Sequence, residues 1–223
     1  MLTSSPYFGI LLTVLAYSAA VYLNKKVNNS LVNPIIVSAI FIIAVLSVFH
    51  IPLEHYKIGS DAVSLLMIPA TVSLALPTYK NLHILKKHLL PVLCGVAVGA
   101  VVSVVCVFTL CRLFGLDEAL TASLLPKSTT MPFALDLSRA QGGIDAITIA
   151  AVVFTGVGGA MVAPLLLKLF GLKGDIEAGV AIGTSSHIAG TSKATEINGL
   201  MGAVSGISVG LAGIFTVIFM AFW

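Results

Sequence analysis

The sequence predicts an all-α integral membrane protein, and three observations carry that expectation. Of its 223 residues, 58% are hydrophobic and 9% charged, where an ordinary soluble domain has about a quarter charged. The mean hydropathy is +1.07. Apolar runs recur at the length of a bilayer crossing, about 20 residues, which leaves room for about eight hydrophobic segments with short loops and no soluble domain. The 12 Lys+Arg and 9 Asp+Glu are too few to cover a water-facing surface. The formal net charge of +3 is scattered rather than gathered into a stripe, which argues against nucleic-acid binding.

The first segment runs from Pro6 to Leu23 and stops at Asn24, Lys25 and Lys26. No basic region precedes it and no small-residue cleavage site follows, so it reads as a retained span. The second begins at Pro34, a residue suited to a helix start, and ends near Phe49. A loop with Glu54, His55, Lys57 and Gly59 then leads to Ser60 and Asp61, a candidate helix cap. Three further segments, about 61–79, 118–139 and 177–197, are interrupted by proline, glycine, hydroxyls or charge. Three plain segments, about 89–111, 144–169 and 200–222, lie between and after them, rich in the small residues that let membrane helices pack closely.

This alternation implies an internal, transporter-like repeat. Arg112-Leu113-Phe114-Gly115-Leu116 returns as Lys168-Leu169-Phe170-Gly171-Leu172, each ahead of an acidic pair, Asp117 with Glu118 and Asp175 with Glu177. Asp61, Pro69, Thr71 and Ser73 align without a gap to Glu118, Pro126, Ser128 and Thr130, giving a period of roughly 57 to 59 residues. The expected organisation is an N-terminal two-helix unit, 1–58, and a core of three broken/plain units, 59–223, within one membrane domain. Loop charges do not orient the chain. Seven basic residues face four whether the broken segments cross or re-enter, with Lys25 and Lys26 in the majority in one case and the minority in the other.

The second break, Pro126-Lys127-Ser128-Thr129-Thr130-Met131-Pro132, is the strongest chemical signal. A lysine near mid-depth costs several kcal/mol unless it faces a wet cavity or a partner. Two prolines six residues apart free backbone groups that only protein or a cavity can satisfy. Lys127, three hydroxyls and a half-helix N-terminus compose an anion site; the alternative is a kinked helix whose lysine snorkels. The third break, Gly183 to Lys193, offers Ser185, Ser186, Thr191 and Ser192, with Gly183 and Gly190 permitting unwinding. His187 is the one histidine away from loops, a candidate for proton coupling or for a helix–helix hydrogen bond. Lys193 is a second anion contact or an interfacial anchor paired with Glu196. The first break has Pro69, Thr71, Ser73 and Pro77 without charge, and reads as scaffold. Asp136 reads as an interfacial partner of Arg139.

Enzyme chemistry is not expected. Ser186 and His187 are sequence neighbours, which point about 100° apart on a helix. His50 with His55, and His83 with His88, are five apart and share no helical face, so no metal is expected. Cys94, Cys106 and Cys111 lie in one apolar run and read as small hydrophobes. No cofactor is implied.

The run Leu124-Leu125-Pro126-Lys127-Ser128-Thr129-Thr130-Met131-Pro132, with the later Gly183-Thr184-Ser185-Ser186-His187 and Gly190-Thr191, resembles the LrgB/CidB family over nearly the whole chain. The family more usually has Val before the Thr pair and commonly Arg where this chain has Lys193. Lysine there offers a point charge rather than a bidentate fork. The resemblance implies a bacterial inner-membrane protein working beside a small LrgA/CidA-type partner. Bacterial members were described as antiholin-like or holin-like regulators of murein hydrolase activity and lysis. Relatives, including a plastid protein, transport glycolate, glycerate or pyruvate-like carboxylates. The expectation is a small-monocarboxylate transporter, probed at Lys127, Ser128, Thr129, Thr130, Ser185, Ser186, Thr191, Lys193 and His187, with an antiholin-like regulator as the alternative and homo-oligomerisation left open.

Overall fold

A computed structural model describes residues 5–27, 34–66, 69, 72 and 75–222. Among these residues every regular element is helical. Two compact units divide the chain, Met1–Ser73 and Leu74–Trp223. A division at 58/59 would instead cut a continuous helix. Among the described residues four helices are long and apolar enough to cross a membrane, fewer than the eight hydrophobic segments counted from sequence.

In the first unit, α1 (Pro6–Val27) continues through Lys25 and Lys26, and α2 (Pro34–Val48) follows. Helix α3 (Leu53–Ser64) occupies the stretch expected as a loop and runs through Asp61 without a cap there. The reason lies just upstream. Ile51 N donates to Leu46 O at 2.9 Å across His50, whose φ of 51° closes α2 in the way a glycine ordinarily does, and Pro52 then starts the next helix at once. Helices α1 and α3 touch at glycines: a Cβ on Gly9 would lie 2.9 Å from Gly59 Cα. Thr13 Oγ1 and Tyr56 Oη share a hydrogen bond of 2.9 Å beside that crossing. Of the first break, Pro69 is helical and exposed, while Thr71 and Ser73 lie outside the described residues.

The second unit opens with short helices α4 (Ala75–Lys80) and α5 (Leu82–Lys87). Pro77 lies in the first turn of α4, where proline is tolerated, so it does not interrupt that helix. Three long helices form the frame: α6 (Leu89–Leu113), α9 (Asp145–Leu169) and α11 (Gly199–Ala221). Val92 and Val96 pack with Val204 at one end of the frame, and Val104, Val107 and Cys111 with Met220 at the other, so α6 and α11 run parallel.

The two broken segments of this unit do not cross it. Helices α7 (Glu118–Leu124) and α8 (Met131–Ala140) form hairpin 1, which leaves and returns at the Cys111/Met220 end. Ile144 N donates to Ser123 Oγ at 2.7 Å, Ser138 and Thr148 share a 2.7 Å bond, and Gln141 Nε2 donates to Met220 O at 3.2 Å. Leu124, Leu125 and Leu137 join the same apolar cluster. Helix α10 (Asp175–Ile197) is hairpin 2, folded at His187 and open at the Val92/Val204 end. Asn198 Nδ2 donates to Asp175 Oδ2 at 3.0 Å across its mouth, and Ala178 and Ile182 pack with Ala194 across its arms. Each arm is far shorter than the roughly 20 residues a crossing needs.

Helices α6 and α9 are each 25 residues long and end alike. Leu116 N reaches Cys111 O and Leu172 N reaches Leu167 O, both at 2.9 Å. Gly115 and Gly171 supply φ of 66° and 64°, a left-handed turn that glycine enters without penalty.

Candidate functional site

Hairpin 1 ends in a tight turn made by its prolines. Pro126 is fully buried, and its carbonyl accepts from Thr129 N at 3.0 Å and from Thr129 Oγ1 at 2.8 Å. Thr130 adopts extended geometry ahead of α8, and Pro132 sits in the first turn, where its missing N–H has no intrahelical partner to lose. The turn leaves Lys127 half-buried at the tip. Its Nζ donates to Ser128 Oγ at 3.3 Å, and Ser103 Oγ of α6 donates to the same atom at 2.9 Å. Among the described residues the ion pairs are Arg139–Asp145 and Lys193–Glu196, so no carboxylate neutralises Lys127.

Hairpin 2 turns on one residue. His187 has φ 40° and ψ −136°, and the helix breaks there rather than at Gly183 or Gly190, both of which stay helical. The glycines serve packing instead. Gly183 lies against Ser205 O and Gly190 against the Ser186 side chain. His187 Nε2–H donates to Val152 O of α9 at 2.9 Å, and its own carbonyl accepts from Thr191 Oγ1 at 2.9 Å. A carbonyl can only accept, so this bond places the proton on Nε2. The ring rests on Gly156 and the Ser186 side chain on Gly159, positions where any Cβ would collide.

The two tips meet. Lys127, Ala181 and Ser185 border two cavities of about 430 and 310 Å3. The larger adds Ser186 and Thr155; the smaller adds Ser103, Ser128 and Thr184. Of the sequence-proposed residues, Lys127 and Ser185 border both cavities, Ser186 the larger and Ser128 the smaller. The others do not. Thr129 is buried within its own turn, Thr130 stands at the N-cap position of α8 without a side-chain capping bond and borders neither cavity, and Thr191 Oγ1 is bonded to Ser205 Oγ at 2.8 Å. Lys193 lies near the mouth of hairpin 2, held by Glu196 at 2.9 Å. Arg139 pairs with Asp145 at 2.7 Å rather than with Asp136, because the chain folds back after α8 and brings the start of α9 alongside.

Ser103, Thr155 and the two seating glycines were not singled out from sequence, and Thr184 was named only as part of the third break's motif. Ser103 stands alone in Val-Val-Ser-Val-Val, a polar interruption that could have been noticed.

The model of the LrgB-like family matches residues 13–223 of the chain. The chain belongs to the LrgB-like family. It is 36% identical over 217 residues to the "Antiholin-like protein LrgB" of Bacillus cereus (strain B4264), covering 97% of this chain and 94% of that one. Two Bacillus subtilis (strain 168) relatives are YxaC, 38% identical over 205 residues (92% and 89% covered), and YwbG, 33% over 208 (93% and 92%). No solved structure matches. Family membership and the four long apolar helices make this a multi-pass membrane protein.

Proposed function

We propose that this LrgB-like protein transports small monocarboxylates of the glycolate, glycerate or pyruvate type, coupled to protons and working with an LrgA/CidA-type partner in a bacterial inner membrane. One observation carries the reading: a half-buried lysine without an acidic partner, held where two hairpins from opposite ends of the frame meet. Such a charge lacks a counter-ion that a carboxylate can supply. Ser186 borders the larger cavity and Ser128 the smaller, each beside Lys127 and able to offer a hydroxyl to an anion there, while the Ser185 hydroxyl donates to Ala181 O at 2.7 Å. Nothing in this arrangement calls for bond-making chemistry, so the reading is of a transporter and not an enzyme.

The matched ends of α6 and α9, each followed by a hairpin, support an inverted repeat of the kind transporters use to alternate access around a central site. Lys86, Lys87, Lys168, Lys173 and Lys193 gather toward the end where hairpin 2 opens, with Arg112 and Arg139 toward the other. Within this unit the excess supports a reading in which the hairpin 2 end faces the cytoplasm. His187 Nε2–H is engaged by Val152, which leaves Nδ1 as the position for a coupled proton.

The second reading, an antiholin-like regulator of murein hydrolase activity without transport of its own, draws on the printed name of the Bacillus cereus relative. Counterflow of labelled glycolate or pyruvate in proteoliposomes, with and without an LrgA-type partner, separates the two. Transport abolished by Lys127→Ala supports the proposal; transport that is absent, or indifferent to that change, overturns it. A pH-gradient dependence surviving His187→Gln would remove the histidine from coupling.

A further inference from the structure

The larger cavity is divided chemically. Its polar groups are Lys127, Ser185, Ser186 and Thr155, and its apolar wall includes Ala163, Leu167 and Ile182, with the exposed Leu166, Phe170 and Leu172 at its open side. The part of that wall made by Ala163, Leu167 and Ile182 is held by packing. Ala163 and Ile182 are buried in a packed cluster with Ala178, Ala194 and Met201, and Leu167 packs against the same cluster. Volume makes the point sharper. A three-carbon oxo acid has six heavy atoms and needs roughly 180 Å3 at the ~30 Å3 that a water molecule occupies in the liquid. The cavity, about 430 Å3 and open where the exposed Phe170 and Leu172 border it, is larger than such an acid, which leaves part of the leucine side uncovered.

Resting on the carboxylate reading above, we infer that the site takes monocarboxylates with an apolar tail, the carboxylate on Lys127 and the tail along Ala163, Leu167 and Ile182. The same wall rejects dicarboxylates. A second carboxylate would lose its hydration against leucines with no second cation to meet it, since Lys127 is the sole charged residue bordering either cavity. Burial of each further methylene strengthens binding about fourfold until the wall is covered.

Calorimetric binding of a 2-oxo acid series to the purified full-length protein tests this: pyruvate, 2-oxobutanoate, 2-oxopentanoate and 4-methyl-2-oxopentanoate, with 2-oxoglutarate as the dicarboxylate. The expected result is an affinity that rises about fourfold per added methylene, with 2-oxoglutarate weaker than 2-oxopentanoate. Leu167→Trp and, independently, Ala163→Leu fill the wall and should erase the gain per added methylene across the series. Affinity that is flat or falls with tail length overturns the tail site and leaves the carboxylate reading standing. A tail preference that persists in both variants overturns its assignment to this wall. No binding of any acid, or binding indifferent to Lys127→Ala, overturns the carboxylate reading and this inference together.

Discussion

The two hairpins solve one problem in different ways. Both must reverse the chain inside the frame, where backbone groups freed at the turn have little water to bond. Hairpin 1 does so with a six-residue turn between its two helices, satisfied by its own threonine, and leaves its lysine to the cavity. Hairpin 2 does so at a single histidine, held to α9 by a hydrogen bond and seated on a glycine. One tip carries a free charge on a self-contained turn; the other carries no charge and depends on a neighbouring helix. The difference separates ligand attraction, a property of hairpin 1, from anchoring, a property of hairpin 2.

The comparison breaks most visibly at the charge. Lys127→Ala should lower the affinity for a carboxylate about 30-fold or more, because truncating one member of a buried, hydrogen-bonded charge pair costs about 2 to 5 kcal/mol. Thermal stability of the empty protein should be preserved or raised, since the lysine has no acidic partner to lose. A variant that keeps its affinity would show that hairpin 1 is scaffold.

Anchoring is tested on α9. Gly156→Ala puts a methyl into the His187 ring and should destabilise the protein by about 1 to 3 kcal/mol. Gly158→Ala, two residues away with open space at its Cβ, should be neutral or stabilising by up to about 1 kcal/mol. Equal melting shifts for the two in detergent would mean that hairpin 2 does not rest on Gly156.

Within hairpin 2, backbone and side chain can be separated. His187 has positive φ, which glycine adopts far more readily than a residue with a Cβ. His187→Gly and His187→Ala both remove the bond to Val152, yet the glycine variant should be the more stable by about 1 kcal/mol, the low end of the cost of such a conformation. Equal stability of the two would mean that the turn relaxes once the ring is gone.

What the sequence disclosed divides along the same line. The prolines, hydroxyls and lysine of hairpin 1 are chemically conspicuous and adjacent in the chain, so its turn and its role as a candidate site were readable. The fold-back itself was not, because a proline-broken helix has the same local pattern whether the chain crosses or returns. The contacts that decide it, Ser123 with Ile144 and Asp175 with Asn198, join residues more than twenty apart. In hairpin 2 the glycines drew attention away from the true break, since positive φ at a histidine flanked by Gly183 and Gly190 leaves no sequence mark. The start of α3 was missed for a related reason: His50 stands where Gly115 and Gly171 stand in the matching turns.

Lys193 gives the smallest effect and the sharpest control. Both lysines belong to hairpins, and from sequence each could have served as an anion contact. The structure separates them by partner. Lys193 Nζ already has Glu196 Oε2 at 2.9 Å, three residues along the same helix, and borders neither cavity. An exposed pair of this kind contributes little. Lys193→Ala should therefore leave carboxylate affinity within about twofold of the parent, the change that well under 1 kcal/mol produces. A loss approaching that of Lys127→Ala would mean that the charge of hairpin 2 also reaches the ligand, and the division between an attracting tip and an anchored one would fail.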